Sequence, residues 1–467
     1  TNYKLTLSSS GVINTRRIGG TPDYHCSQYS SELEAICNEN QKGNTDIDAA
    51  FRYTKVGQNY DVGFLGALES DESFSEGKDF LAARYRIKRD NLSVGYLGTF
   101  VNNPLMNKQA KVNSLDFDYR SSKDLRIYGL LLNSILEDQK GYGLRMSLRK
   151  QVNQDLSTGF GFFYLDEDLN LNDMGYLFRN DWIMFGGRTM LQKTSFKESS
   201  PNLIRTYRFG YGCRSNTSGD KEGCYTSLDI GNQFKDTSQI EAEVFFRTSG
   251  KDNMITRGNE LAPFVKLPQN YGIELKYVGQ KNKYWQWDLF IQRAKGSEHS
   301  SNLSWRNNYW SSIKLFPMEN LTLKLSYSHE KEKNWLNWIQ ENLLGTYEKT
   351  QRKTNISLTY FKGTKHELRV KSQMVAFTAI KPQAYFASSK GNLNQSSINL
   401  DPFSLGQLAF QVRYRYEFMP LAYLYAVYTR GGRVYEADEE DDLGTLYKRP
   451  WQDPDKDNFT LKVRYRF

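Results

Sequence analysis

Alternation with a period of two runs through this chain and constrains it more than any other feature. The chain ends "DNFTLKVRYRF", where Phe459, Leu461, Val463, Tyr465 and Phe467 fall on one side and Thr460, Lys462, Arg464 and Arg466 on the other. Successive side chains of a strand point to opposite faces, so a period of two reads as strand. A soluble strand over a core would give one such pattern, but here the pattern recurs. "LAFQVRYRYEF" sets Phe410, Val412, Tyr414, Tyr416 and Phe418 against Gln411, Arg413, Arg415 and Glu417. "NLTLKLSYS" sets Leu321, Leu323, Leu325 and Tyr327 against Thr322, Lys324 and two serines. "FLAARYRIK" sets Leu81, Ala83, Tyr85 and Ile87 against Ala82, Arg84, Arg86 and Lys88. "SLDFDYRS" and "GLRMSLRK" repeat it.

Composition suits a thin apolar outer face over a polar interior. The 467 residues are only 39% hydrophobic, yet include 31 Tyr and 27 Phe. That length would ordinarily suggest about three domains, but no linker or composition shift divides it. No apolar run reaches the roughly 18 residues of a membrane-spanning helix. A transmembrane β-barrel, whose strands carry apolar residues only at alternate positions, remains open. "TNYKLTLSSSG" reads as a first strand near 3–8 rather than a leader, so a mature form or a piece of a longer chain is expected. The net charge of +9 comes from basic residues alternating along strands, not clustered with aromatics, so no nucleic-acid partner is expected.

Pairing the strands along the chain gives tight turns on one side and long links on the other, in strict alternation. The tight turns include "VGQN", "RDN", "SSKD", "VNQD", "KDTS", "QKNK", "PMEN", "KGTK" and "FMP". Long extracellular loops are expected near 9–46, 166–180, 213–224, 249–268, 330–345, 379–404 and 431–457, with "LEDQKG" a further link on that side. The count is about 22 strands, within 20–26, in one outer-membrane barrel with both termini periplasmic. "KNWLNWIQENLL" (333–344) has helical spacing and reads as a loop helix on the rim. Two local cysteine pairs, Cys26 with Cys37 and Cys213 with Cys224, sit in polar links without short Cys-x-x-Cys spacing or histidine partners. They read as loop disulfides rather than zinc ligands.

Four stretches resemble one barrel family: "NTRRIGG" (14–20), "YDVGFLGALES" (60–70), "LNLNDMGYLFRND" (169–181) and "LAFQVRYRYEFMPLAYLYAVYTRGG" (408–432). Together they resemble the domain of unknown function 5916, whose members commonly carry a carbohydrate-binding family-nine-like domain ahead of the barrel. The resemblance implies an outer-membrane barrel more than an activity. The terminal aromatic likewise resembles the signal that barrel-assembly machinery reads, which makes that machinery an expected partner during biogenesis. The outer membrane and its lipopolysaccharide are the expected surroundings.

A 22-strand barrel has a lumen wide enough to need filling. Inward-folding loops, chiefly 9–46 and then 379–404 and 431–457, are the internal candidates. A protein partner or an N-terminal domain is the external one. Inward Arg84, Arg86, Arg126, Arg145, Arg149, Arg413, Arg415, Arg464 and Arg466 would make the lumen cationic and select anions. Pairing with Asp116, Asp118, Asp288 and Glu417 in a structural ladder is the competing reading, since buried charges are usually paired. The run Asp438, Glu439, Glu440, Asp441 and Asp442 offers oxygens for a hard cation but lacks a calcium-loop layout, and a solvated acidic loop reads better. Trp305, Tyr309 and Trp310, or Trp285 and Trp287, could stack on sugars, but interfacial girdles account for them. Of the four histidines, only His329 has company, beside Glu330 near Ser326 and Ser328, and no catalytic triad is legible.

These readings converge on a non-enzymatic outer-membrane channel for a solute or polymer, such as an oligosaccharide or peptide, with no cofactor and no metal. The alternatives are a platform holding a partner protein and, less favoured, a surface hydrolase.

Overall fold

The computed structural model describes residues 11–41, 44–121, 124–296, 304–437 and 443–465. The chain is all-β, with 22 strands in one antiparallel sheet and a separate two-stranded ribbon, Gly250–Asp252 with Val265–Leu267. No helix is long and apolar enough to cross a membrane. The residues fall into two compact units, one of Thr1–Thr189 with Gly212–Lys221, the other of Met190–Tyr211 with Glu222–Phe467.

The first unit is a run of antiparallel neighbours in chain order. They are Ile47–Val56, Tyr60–Glu69, Asp79–Lys88, Leu92–Asn103, Lys108–Ser121, Leu125–Leu136, Gln139–Gln151 and Leu156–Leu165. The alternation seen in the sequence is the alternation of faces. In Asp79–Lys88 the side chains of Leu81, Tyr85 and Ile87 are exposed, while Phe80, Ala82 and Arg84 are buried. A soluble sheet hides its large apolar face. Here Leu81, Tyr96, Leu115, Leu131 and Tyr142 are exposed, and Arg84, Asp116 and Asp118 are among the most buried groups. That inversion is what a sheet facing hydrocarbon requires.

The buried face of this unit is not polar throughout. Val12, Ile13, Leu169, Leu171 and Met174 pack on Leu65, Phe80, Leu97, Leu130 and Leu132 from the strands. Two parts of the long links thus lie over the inner face and are tied together, Asn14 N donating to Met174 O at 2.7 Å and Tyr176 N to Gly11 O at 2.7 Å. Gly141 makes the close approach possible, since a Cβ there would stand 2.2 Å from Leu169 N. Further along the first link lies the helix Ser31–Glu39.

The second unit repeats the meander with longer strands. From Lys221–Phe234 it runs through Gln239–Arg247, Asn270–Val278, Trp285–Lys295, Trp305–Met318 and Leu321–Gln340. It continues through Leu343–Lys362, His366–Ala387, Phe403–Met419, Ala422–Ala437 and Lys456–Arg464. A helix, Leu443–Gln452, lies on Phe403–Met419, with Leu446 fully buried. Gly406 admits it, because a Cβ there would meet Leu446 O at 2.3 Å.

Several expected links are strand instead. Residues 330–345 form neither a loop nor a helix: Leu321–Gln340 and Leu343–Lys362 run through them and turn at Glu341, where φ is 43°. Register shifts between Glu332 and Trp335 and between Trp338 and Gln340 break the period of two. Such bulges insert a residue, which is how a strand here acquired helix-like spacing. "LEDQKG" is also tight, the strands meeting at Glu137 with φ 55°. The link expected at 379–404 narrows, since His366–Ala387 extends into it and Leu393–Gln395 pairs back on residues 385–387. Strands likewise take 213–215 and 221–224, and Ala422–Ala437 reaches into 431–457. The 22 strands of the sheet include the short Leu393–Gln395, whereas the strand expected at 3–8 lies outside the described residues.

Candidate functional site

In the first unit several inward arginines meet carboxylates. Arg84 Nη2 donates to Asp116 Oδ1 at 2.6 Å with both side chains nearly inaccessible. Arg126 grips Asp118 through two bonds of 2.8 Å, with Arg120 joining at 3.3 Å. Lys88 Nζ reaches Asp61 at 2.7 Å, and Arg86 donates to Ser93 Oγ at 2.6 Å. Arg145 lies over the Phe163 ring at 4.9 Å. Across this stretch the cations form a ladder with Asp116 and Asp118.

The second unit differs. Glu367, 1% exposed, sits opposite Arg415, and Arg369 opposite Arg413, on the neighbouring strands His366–Ala387 and Phe403–Met419. All three guanidiniums converge on the one carboxylate. Arg415 Nε is 3.1 Å from Oε2 and Arg413 Nη2 3.8 Å from Oε1, with Arg369 Nε against Oε1. Their side chains stay 29–41% exposed. Three cations on one anion leave an excess of positive charge beside open space. Arg415 also lies over the Tyr423 ring at 5.3 Å. Glu417, expected to pair with these arginines, instead accepts from Leu421 N at 3.1 Å.

The anticipated basic patch is therefore regrouped. Arg413 and Arg415 come together, and Arg369 and Glu367 join them from the strand between "KGTK" and the link at 379, two charges the sequence reading did not single out. "HELRVK" carried the signal, since Glu367 and Arg369 share one parity. Arg464 is exposed and pairs in register with Tyr423, which separates it from Glu417. Arg466, Phe467 and the acidic run Asp438, Glu439, Glu440, Asp441 and Asp442 lie outside the described residues.

The terminal strand Lys456–Arg464 is exposed along its whole length, as is Ile47–Val56. Phe459, Leu461, Val463 and Tyr465 are exposed accordingly, and their exposure alone does not separate one face from the other. Trp285, Trp287, Trp305 and Tyr309 are all exposed. Tyr271 meets Trp305 edge-on at 6.2 Å, and Tyr277 lies 4.7 Å from Trp287. Trp310 has the opposite parity to Tyr309 and is half-buried. His329 accepts from Arg352 Nε at 3.3 Å, Ser326 Oγ from Asn355 Nδ2 at 3.3 Å, and Glu330 from Lys349 at 2.8 Å. These three residues thus have separate partners rather than forming a relay. Cys26 and Cys37 form a disulfide with Cα atoms 5.6 Å apart. Cys213 and Cys224 are disulfide-bonded too, and there is no free cysteine among the described residues.

A family model described as domain of unknown function (DUF5916) matches residues 86–467. No curated protein matches the sequence. Among solved structures, a RagAB peptide importer is similar at 10% identity and TM-score 0.38, over 81% of this chain and 50% of that one. This chain thus spans half the length of that relative. The siderophore receptor PirA from Acinetobacter baumannii is similar at 10% identity and TM-score 0.37, over 88% and 74%. A bacterial polysaccharide outer-membrane secretin is similar at 9% identity and TM-score 0.28, over 71% and 96%. Similarity of this degree says nothing of activity.

Proposed function

The chain belongs to the family of the domain of unknown function 5916, and from its two faces we propose a non-enzymatic channel of the bacterial outer membrane that passes anionic solutes. The tight turns and both termini are assigned to the periplasm and the long links to the outside, the usual arrangement of such barrels. Assembly by the barrel machinery and contact with lipopolysaccharide follow from that location. The observation that carries the reading is the cluster of Arg369, Arg413 and Arg415 on the single carboxylate of Glu367, on strands whose alternate positions are the half-buried Leu368, Val370, Val412 and Tyr414. A passage lined by cations in excess selects anions. The first unit's inner face is partly covered by residues 11–18 and 165–177, which narrows what can pass.

Purified protein in a planar bilayer tests this. A small, anion-preferring conductance is expected, with the preference reduced in the Arg413→Gln, Arg415→Gln double variant. Deleting residues 12–44 should enlarge the conductance. A silent bilayer from protein that brings down a stoichiometric second polypeptide would replace the channel with a platform that holds a partner.

A further inference from the structure

The second unit carries a half-open cavity of about 310 Å³ whose polar lining is only partly satisfied. Tyr225, Phe245 and Trp335 supply ring surface to its wall. Much of the remaining lining is already paired. Tyr225 donates to Glu243 at 2.6 Å, Gln292 Nε2 to Glu274 at 2.5 Å and Lys349 to Glu330 at 2.8 Å.

Three groups stand apart. Asn270 Oδ1 and Arg306 Nε are buried with no hydrogen-bond partner. Glu332 is 3% exposed and lies directly opposite Arg306 in register, yet the two form no ion pair among the described residues. Glu332 and Trp335 both line the cavity although three residues apart, which simple alternation would not allow. The register shift between them accounts for it. A buried polar atom left without a partner costs roughly 1–3 kcal/mol, and two of them beside a buried carboxylate around one space call for something that fills it.

We infer that this cavity is a binding subsite for an uncharged saccharide unit. The argument is one of matching. The occupant must donate to Asn270 Oδ1 and Glu332 and accept from Arg306 Nε, and a hydroxyl does both. The lining carries Arg247, Arg306 and Lys349 against Glu274, Glu330 and Glu332, three charges of each sign. An ionic occupant would upset that balance among side chains that are largely buried. A sugar ring brings several hydroxyls without charge, and its apolar face suits the aromatic wall.

The subsite rests on the proposed reading of the inner face as a solute passage, and its test is kept independent of conductance. Isothermal calorimetry on the full chain in detergent would use maltohexaose, isomaltohexaose, chitohexaose and, as the rival ligand, trialanine. Saturable binding of at least one hexasaccharide is expected, weakened about tenfold by Glu332→Gln and again by Arg306→Gln, the loss for one charged hydrogen bond. Trp335→Phe should weaken it less. Where a charge variant does not assemble, as read by heat-modifiable gel mobility, Trp335→Phe and Asn270→Ser carry the test. Binding of trialanine alone, binding of no hexasaccharide, or hexasaccharide binding that ignores the variants would each overturn the subsite. An anion-selective conductance with no saccharide binding would remove the subsite and leave the channel standing.

Discussion

The inner faces of the two units solve the problem of buried charge in opposite ways. In the first, Arg84 and Asp116 are a sealed pair, Arg126 and Asp118 a bidentate one, and an apolar cover of Val12, Ile13, Leu169 and Met174 occupies the rest. In the second, one carboxylate serves three guanidiniums that keep about a third of their surface open, and a separate cavity further along the strands holds polar atoms with no partner. A sealed one-to-one pair such as Arg84 with Asp116 holds strands together. An unbalanced, wet cluster is poorly suited to that and well suited to meeting an ion. The difference separates a sealed pair that ties strands together from a half-open cationic cluster, the one the proposed passage would use.

The largest expected effect breaks the first face. Asp116→Ala removes one partner of a buried pair and should cost about 3–5 kcal/mol, read as a fall in the urea midpoint. Glu367→Gln should cost less, since its guanidiniums stay hydrated, while raising anion preference in the bilayer. Equal losses from both would erase the contrast drawn between the units.

Next comes the surface the two units share in kind. Leu131 and Leu325 are both exposed on apolar faces. Leu131→Arg and Leu325→Arg should each impair membrane assembly by about 2–4 kcal/mol. Normal assembly of either variant would mean that its strand faces water rather than lipid.

Reducing the disulfides should be milder. Cys26 and Cys37 close a loop with a separation of 11 residues, a constraint of about 2–3 kcal/mol felt mainly within the loop. Faster hydrogen exchange across residues 26–37 with an unchanged strand core is the expected result. Melting of the whole sheet would show that the loop holds more than itself.

The smallest effect is a titration in the same link. Burial pushes the Asp23 carboxyl up, but Lys78, bonded at 2.7 Å, and the Asn103 amide outweigh it and hold it below the ordinary 3.8. A depressed carboxylate contributes stability above the ordinary value and loses it as pH falls through the depressed one. The contribution of so open a pair is under about 1 kcal/mol. Exchange protection near Asp23 should therefore decline only in acid below that range. Asp23→Asn should flatten the dependence, and an unaltered acid response in that variant would assign it to another group.

Much of this was legible in the sequence because strand alternation is local. Two residues of the backbone decide which side a side chain takes. So Leu81, Tyr85 and Ile87 could be assigned to one face and Arg84 to the other before any partner strand was known. The tight turns and the local cysteine pairs were readable for the same reason. The strand through 330–340 was not, because its bulges exist only against a partner strand, and without one Trp335, Trp338 and Ile339 imitate a helix.

What tertiary structure alone decided is who meets whom. Arg413 and Arg415 could be placed on one face, but Glu367 and Arg369 reach them only through the register of strands more than forty residues apart. Val12 joins Leu97 in one buried cluster, and Leu446 covers Gly406, through links whose course no period encodes. The cavity among Asn270, Arg306 and Glu332 draws on three strands at once. A single strand fixes its own two faces by backbone geometry. Lateral register and the path of a loop are fixed by packing between distant segments, and that information is spread over all of them.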